Sequence, residues 1–73
     1  MGLLGFPMNL VVNGAPHLHK GQGSVAELLA EFHAAPAMTA LMINGEVVRR
    51  SGWESVRLAE GDEVELIVAA AGG

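Results

Sequence analysis

Apolar positions along the chain recur with two different spacings, and the switch between them outlines the fold. Met8-Asn-Leu-Val-Val-Asn13 is rich in β-branched residues and stops at Asn13-Gly14, a pair that tolerates positive φ at both positions. The pattern predicts a strand beginning near Met8 and a two-residue hairpin turn. His17-Leu18-His19-Lys20 then alternates polar and apolar, as a half-exposed returning strand should, until Gly21-Gln22-Gly23 breaks it. Ser24 precedes Glu27 by three residues, the spacing of a capping box, so a helix is expected from there. Val25, Leu28, Leu29 and Phe32 fall at i, i+3, i+4 and i+7 and define one apolar face, with Glu27 and Glu31 elsewhere and Pro36 as the expected end.

The second half repeats the strand pattern. Thr39-Ala-Leu-Met-Ile43 leads into Asn44-Gly45, a second hairpin signal, and Glu46-Val-Val-Arg49 returns. The stretch around Trp53 is irregular. Glu60-Gly61-Asp62 turns into a last strand, Glu63 to Val68, in which Val64, Leu66 and Val68 share a face. The predicted order is hairpin, helix, hairpin, irregular link, final strand. This is an α+β chain whose mixed sheet of four to five strands is covered by one main helix, and it matches the β-grasp, or ubiquitin-like, roll. In that roll the first and last strands run parallel at the centre of the sheet. Alternation then points Leu10, Val12, Leu41, Ile43, Val64 and Leu66 inward and Val11, Met42 and Ile67 outward, where they form a candidate docking patch.

Composition narrows the classes. Hydrophobic residues make up 51% of the 73 positions and charged residues 16%, a globular balance. At this length folding buries only about 60% of the unfolded chain's surface, and with no cysteine there is no disulfide or zinc staple, so packing must supply the stability. Thiol catalysis is excluded and a reducing compartment suits the chain. The net charge is −4, and the bases do not cluster beyond Arg49-Arg50, which argues against a nucleic-acid partner. The opening MGLLGFP lacks the basic start of a secretory signal and has Phe6 where a myristoylation site has Ser or Thr. No apolar run approaches the roughly 18 residues that span a membrane. The expectation is a soluble, cytoplasmic protein with no membrane partner.

Candidate metal chemistry is thin. His17 and His19 can share a strand face, but no third ligand stands at a suitable spacing, and the two read as exposed strand histidines. Glu60, Asp62 and Glu63 fall short of a calcium loop and read as a solvated turn. Arg49 and Arg50 read as charges guarding an edge strand, and Trp53 as a core residue that packs the irregular link on the sheet.

The C-terminal residues AAAGG raise the sharpest chemical question. Fixing five residues costs on the order of 5 to 10 kcal/mol of backbone entropy. Burying three alanine methyls recovers only about 2.4. The tail is therefore expected to be mobile. Glycine has no Cβ, so Gly72 can thread a channel too narrow for side chains and present the Gly73 carboxylate to another protein's active site.

Joined to the strand order, several stretches resemble the ubiquitin-like sulfur carriers of the ThiS family: MNLVVNG (8–14), SVAELL (24–29), INGEVVRRSGW (43–53), LAEGDEVELI (58–67) and the closing GG. The likeness spans residues 8–73. It divides the chain into an N-terminal extension at 1–7, native or added, a β-grasp domain at 8–68 and a flexible Gly-Gly tail at 69–73. What the resemblance implies is a carrier without catalysis of its own and with no bound cofactor. A ThiF-like adenylating enzyme would use ATP and magnesium to activate the carboxylate of Gly73. A sulfur donor such as a cysteine desulfurase would supply a persulfide sulfur, giving a terminal thiocarboxylate. A ThiG-like thiazole synthase would take that sulfur into the thiazole of thiamine. A molybdopterin-type or amino-acid-biosynthesis carrier, a protein modifier joined to lysine through Gly73, and an interaction module with an inert tail stay open as alternatives.

Overall fold

The computed structural model describes residues 7–69. Five strands, β1 (Met8–Val12), β2 (Ala15–His19), β3 (Thr39–Ile43), β4 (Glu46–Val48) and β5 (Glu63–Val68), form one sheet in the order β2-β1-β5-β3-β4. Both hairpins are antiparallel. The first and last strands pair in parallel, Val11 opposite Glu63 and Val12 opposite Val64, while β3 pairs β5 antiparallel from Thr39 with Val68 to Ile43 with Val64. The expected β-grasp arrangement is present, with β5 as the central strand.

The turns follow from residue chemistry. Asn13 and Gly14 have φ of 51° and 82°, and Asn44 and Gly45 have 51° and 86°, so both Asn-Gly pairs take the positive-φ turn that matches strand twist. Helix α1 (Val25–Glu31) starts at Ser24, whose hydroxyl accepts from the Glu27 N–H while the Glu27 carboxylate accepts from the Ser24 N–H, the full capping box. Two hydrogen bonds from the Gln22 and Ser24 N–H groups, with the Ser24 hydroxyl, hold the Glu27 carboxyl below its ordinary range.

The helix ends earlier than Pro36. Phe32 is its C-cap, and His33 takes φ of 55°. Phe32 is therefore not a core residue: it is 38% exposed, and its ring leans on His17 at a centroid distance of 4.6 Å. Pro36 instead opens a short 3-10 turn, Pro36–Met38, and the irregular link around Trp53 is a 3-10 helix, Arg50–Ser55. Arg50 belongs to that helix rather than to the edge strand, and Arg49 caps it, so the edge-guarding role read for the pair does not describe their positions.

The inner face of the sheet and the apolar face of α1 enclose Leu10, Val12, Val25, Leu28, Leu29, Leu41, Val64 and Leu66, with Ala34, Trp53 and Leu58 closing the ends. Ile43 packs against this core but is only partly buried. Trp53 is buried, as expected, and its indole N–H donates to the Val48 carbonyl at 2.9 Å. No helix among the described residues is long and apolar enough to cross a membrane.

Candidate functional site

Gly72 and Gly73 lie outside the described residues, as does the expected mobility of residues 70–73. What the fold fixes is the root of the tail. Strand β5 leaves the sheet from its middle position and is still held at Ala69, whose N–H donates to the Met38 carbonyl at 2.8 Å. Beside it, the Asn13 side chain prolongs the short parallel ladder. The Leu66 N–H donates to Asn13 Oδ1 at 2.9 Å, and Asn13 Nδ2 donates to the Leu66 carbonyl at 3.3 Å. The central strand is gripped on both sides almost to its end.

The outward residues do not form one patch. Met42 stands opposite Val47 on β4 and opposite Glu65 on β5, and Ile67 stands opposite Ala40, one step diagonal from Met42. Ile67, Ala40, Met42 and Val47 thus run together across the last three strands near the tail root, with Ile67 and Val47 well exposed. Val11 lies on the far side of β5, beside Glu63. The acids Glu63 and Glu65 separate it from the other two.

His17 and His19 depart from the sequence reading. His19 is fully buried, and a third candidate ligand exists in Glu31, since one ligand atom from each of the three lies within 4.8 Å of the others. The hydrogen-bond pattern decides what this cluster is. Glu31 Oε1 accepts from His17 Nε2 at 2.7 Å and from His19 Nδ1 at 2.9 Å, and Oε2 accepts from the Lys20 N–H at 2.8 Å. His19 Nε2 accepts from the Gly23 N–H at 3.0 Å, so the ring carries its proton on Nδ1. A metal on Nδ1 would force a proton onto Nε2, facing that N–H. Gly23 is held on both sides of its Cα: its N–H donates to His19, its carbonyl accepts from the Leu58 N–H at 2.8 Å, and its φ is +95°. The cluster is a staple that ties the end of α1 to the edge strand β2. Burial pushes the Glu31 carboxyl up, but hydrogen bonds from His17, the Lys20 N–H and His19 outweigh it and hold it down to about 2.

The acidic turn is also more than a solvated loop. Glu60 accepts from the N–H and the side-chain amide of Asn9, which lowers its carboxyl from the ordinary range. Asp62 accepts from the Ala59 N–H and from Asn44 Nδ2. Both carboxylates are used inside the fold to fix the turn that starts β5.

Comparison with known proteins matches this architecture to one family. The model of the ThiS family matches residues 4–73, beginning four positions before the resemblance read from the sequence. A crystal structure of the thiamine biosynthesis protein ThiS from Geobacter metallireducens is 35% identical, with a TM-score of 0.71, covering 90% of this chain and 100% of that one. An NMR solution structure of a thiamine biosynthesis protein from the same organism is 36% identical, with a TM-score of 0.73, covering 90% and 88%. No curated protein matches. With nearly its whole length matched by the family model, the chain belongs to the ThiS family.

Proposed function

We propose that the protein is a sulfur carrier for thiazole formation in thiamine biosynthesis and that its working group is the carboxylate of Gly73. The observation that carries this reading is a family match that runs through Gly73, on a fold whose central strand leads to it. The thiamine-biosynthesis structures that share the fold support the choice of pathway.

The chemistry follows from the unreactivity of a carboxylate. Nucleophiles do not displace its oxygen until that oxygen is part of a good leaving group. A ThiF-like enzyme with ATP and magnesium adenylates Gly73 and releases pyrophosphate. The terminal sulfur of a persulfide attacks the carbonyl and expels AMP, leaving an acyl disulfide. A second thiol then cleaves the S–S bond, forming a disulfide with the donor and releasing the thiocarboxylate, which donates sulfur to a ThiG-like thiazole synthase. This chain contributes no general acid or base; its one reacting group is the Gly73 carboxylate, whose oxygen attacks the α-phosphorus of ATP, so the chain acts as a cosubstrate.

Its own residues position the terminus. Gly73 lies four positions beyond Ala69, a span of at most roughly 14 Å when fully extended. A partner that docks on the Ile67, Ala40, Met42 and Val47 surface therefore has the carboxylate within reach of one nearby active site. Appending a single alanine after Gly73 tests the reading by ATP-pyrophosphate exchange with the adenylating enzyme. Loss of exchange with an unchanged melting curve is expected; exchange at the native rate would overturn it.

A further inference from the structure

A second surface lies apart from the tail root, on the helix-covered side of the sheet. Between α1 and the 3-10 helix Arg50–Ser55 runs a half-open cleft of about 380 Å³. Ala26, Pro36 and the accessible edge of Trp53 supply apolar wall over the buried Val25 and Leu29, and Arg50 and Arg57 also line it. The chain has four Lys and Arg residues against eight acids, so this one cleft holds half of its bases. Neither arginine is neutralised. Among the described residues every ion pair runs through a histidine, and although Glu54 shares the cleft, it pairs with neither guanidinium. Arg50 donates to the Pro36 carbonyl at 3.5 Å and Arg57 to the Val56 carbonyl at 3.2 Å, which leaves most of their ten N–H donors to solvent.

We propose that this cleft docks an acidic segment of a partner protein, seating one apolar side chain against Ala26, Pro36 and the edge of Trp53 and a neighbouring carboxylate on Arg50 and Arg57. The planar guanidinium matches a carboxylate in geometry as well as charge. On a chain of net charge −4 such a segment is repelled elsewhere and attracted here, which fixes its orientation. The volume suits one leucine-sized anchor, and the cleft's opening leaves room for the backbone that carries it. The inference is independent of the chemistry at Gly73, since no residue of the tail root lines the cleft.

Trp53, the sole tryptophan, is a built-in reporter. Titration of the ¹⁵N-labelled protein with acetyl-Glu-Leu-Glu-amide should shift the Trp53 indole signal and amides of α1 and residues 50–57. The paired neutral peptide acetyl-Gln-Leu-Gln-amide, or a protein carrying Arg50→Gln and Arg57→Gln, should bind at least about tenfold more weakly. Both arginines are exposed, so an unchanged melting curve will confirm that the double variant is folded. Equal shifts from the neutral peptide, shifts confined to the opposite sheet face, or no shifts would overturn the proposal. Tighter binding of free hexanoate than of the acidic peptide would also overturn it, since the occupant would then be a small organic anion.

Discussion

Asn13 and Leu66, 53 positions apart, are joined by a side-chain amide that stands in for backbone: Oδ1 accepts from the Leu66 N–H and Nδ2 donates to the Leu66 carbonyl. The same residue sits at φ of 51° in the first hairpin turn. One asparagine thus closes the hairpin and extends the parallel β1–β5 ladder toward the tail.

These two roles separate by substitution. Asn13→Gly keeps the positive φ and loses both hydrogen bonds, and is expected to cost about 1 to 2 kcal/mol. Asn13→Ala loses the bonds and adds turn strain, so it should cost about 1 kcal/mol more. Amide exchange at Leu66 should quicken in both variants. Equal denaturation midpoints for Asn13→Gly and the parent would contradict the role of the side chain.

The Glu31 staple makes a pH prediction with a definite sign. Its folded carboxyl sits at about 2 against an ordinary 4.5, so the stabilisation is complete above about pH 4.5 and is lost as pH falls toward 2. Glu27 and Glu60 are lowered too and add in the same direction. Glu31→Gln should cost on the order of 1 to 2 kcal/mol at pH 7 after allowance for solvent screening, and near nothing at pH 2. Urea unfolding across this range reads the difference; a constant gap between variant and parent would contradict it.

Replacing Trp53 with Phe removes the hydrogen bond to the Val48 carbonyl and leaves most of the packing. A loss of about 1 to 2 kcal/mol is expected, rising to about 3 to 5 for Trp53→Ala. Calorimetric melting distinguishes the two, and similar losses would mean that the indole body adds little.

Strand register also separates the outward residues. Ile67→Ser, within the continuous apolar run, should weaken affinity for the adenylating enzyme about tenfold, while Val11→Ser, isolated behind Glu63, should change it less than twofold. Both variants should stay folded. Calorimetric titration giving Val11→Ser the larger effect would place the docking surface on the other half of the sheet.

What could be read from the sequence was local. The Asn-Gly turns, the Ser24–Glu27 capping box and the alternation of Glu63 to Val68 are each set by neighbours a few residues apart, and each appears where the pattern put it. Phe32 fits the helical spacing equally well, yet the backbone turns out of the helix one residue beyond Glu31, a termination that periodicity does not record. Alternation placed Val11 on the outer face with Met42 and Ile67, but their lateral separation depends on register across β5. The third partner of His17 and His19 was hidden for a similar reason: Glu31 lies 14 and 12 positions away, and only packing α1 against β2 brings it in. The ThiS resemblance was legible because its motifs occupy most of the chain.

The proposed chemistry changes one atom at the end of the chain, and intact-protein mass reads that change. The protein is measured before and after incubation with ATP, magnesium, the adenylating enzyme, a persulfide source and a thiol reductant. Replacement of a single oxygen by sulfur is expected, localised to Gly73 by fragmentation. An unchanged mass, with the same enzyme active on another carrier, would contradict it.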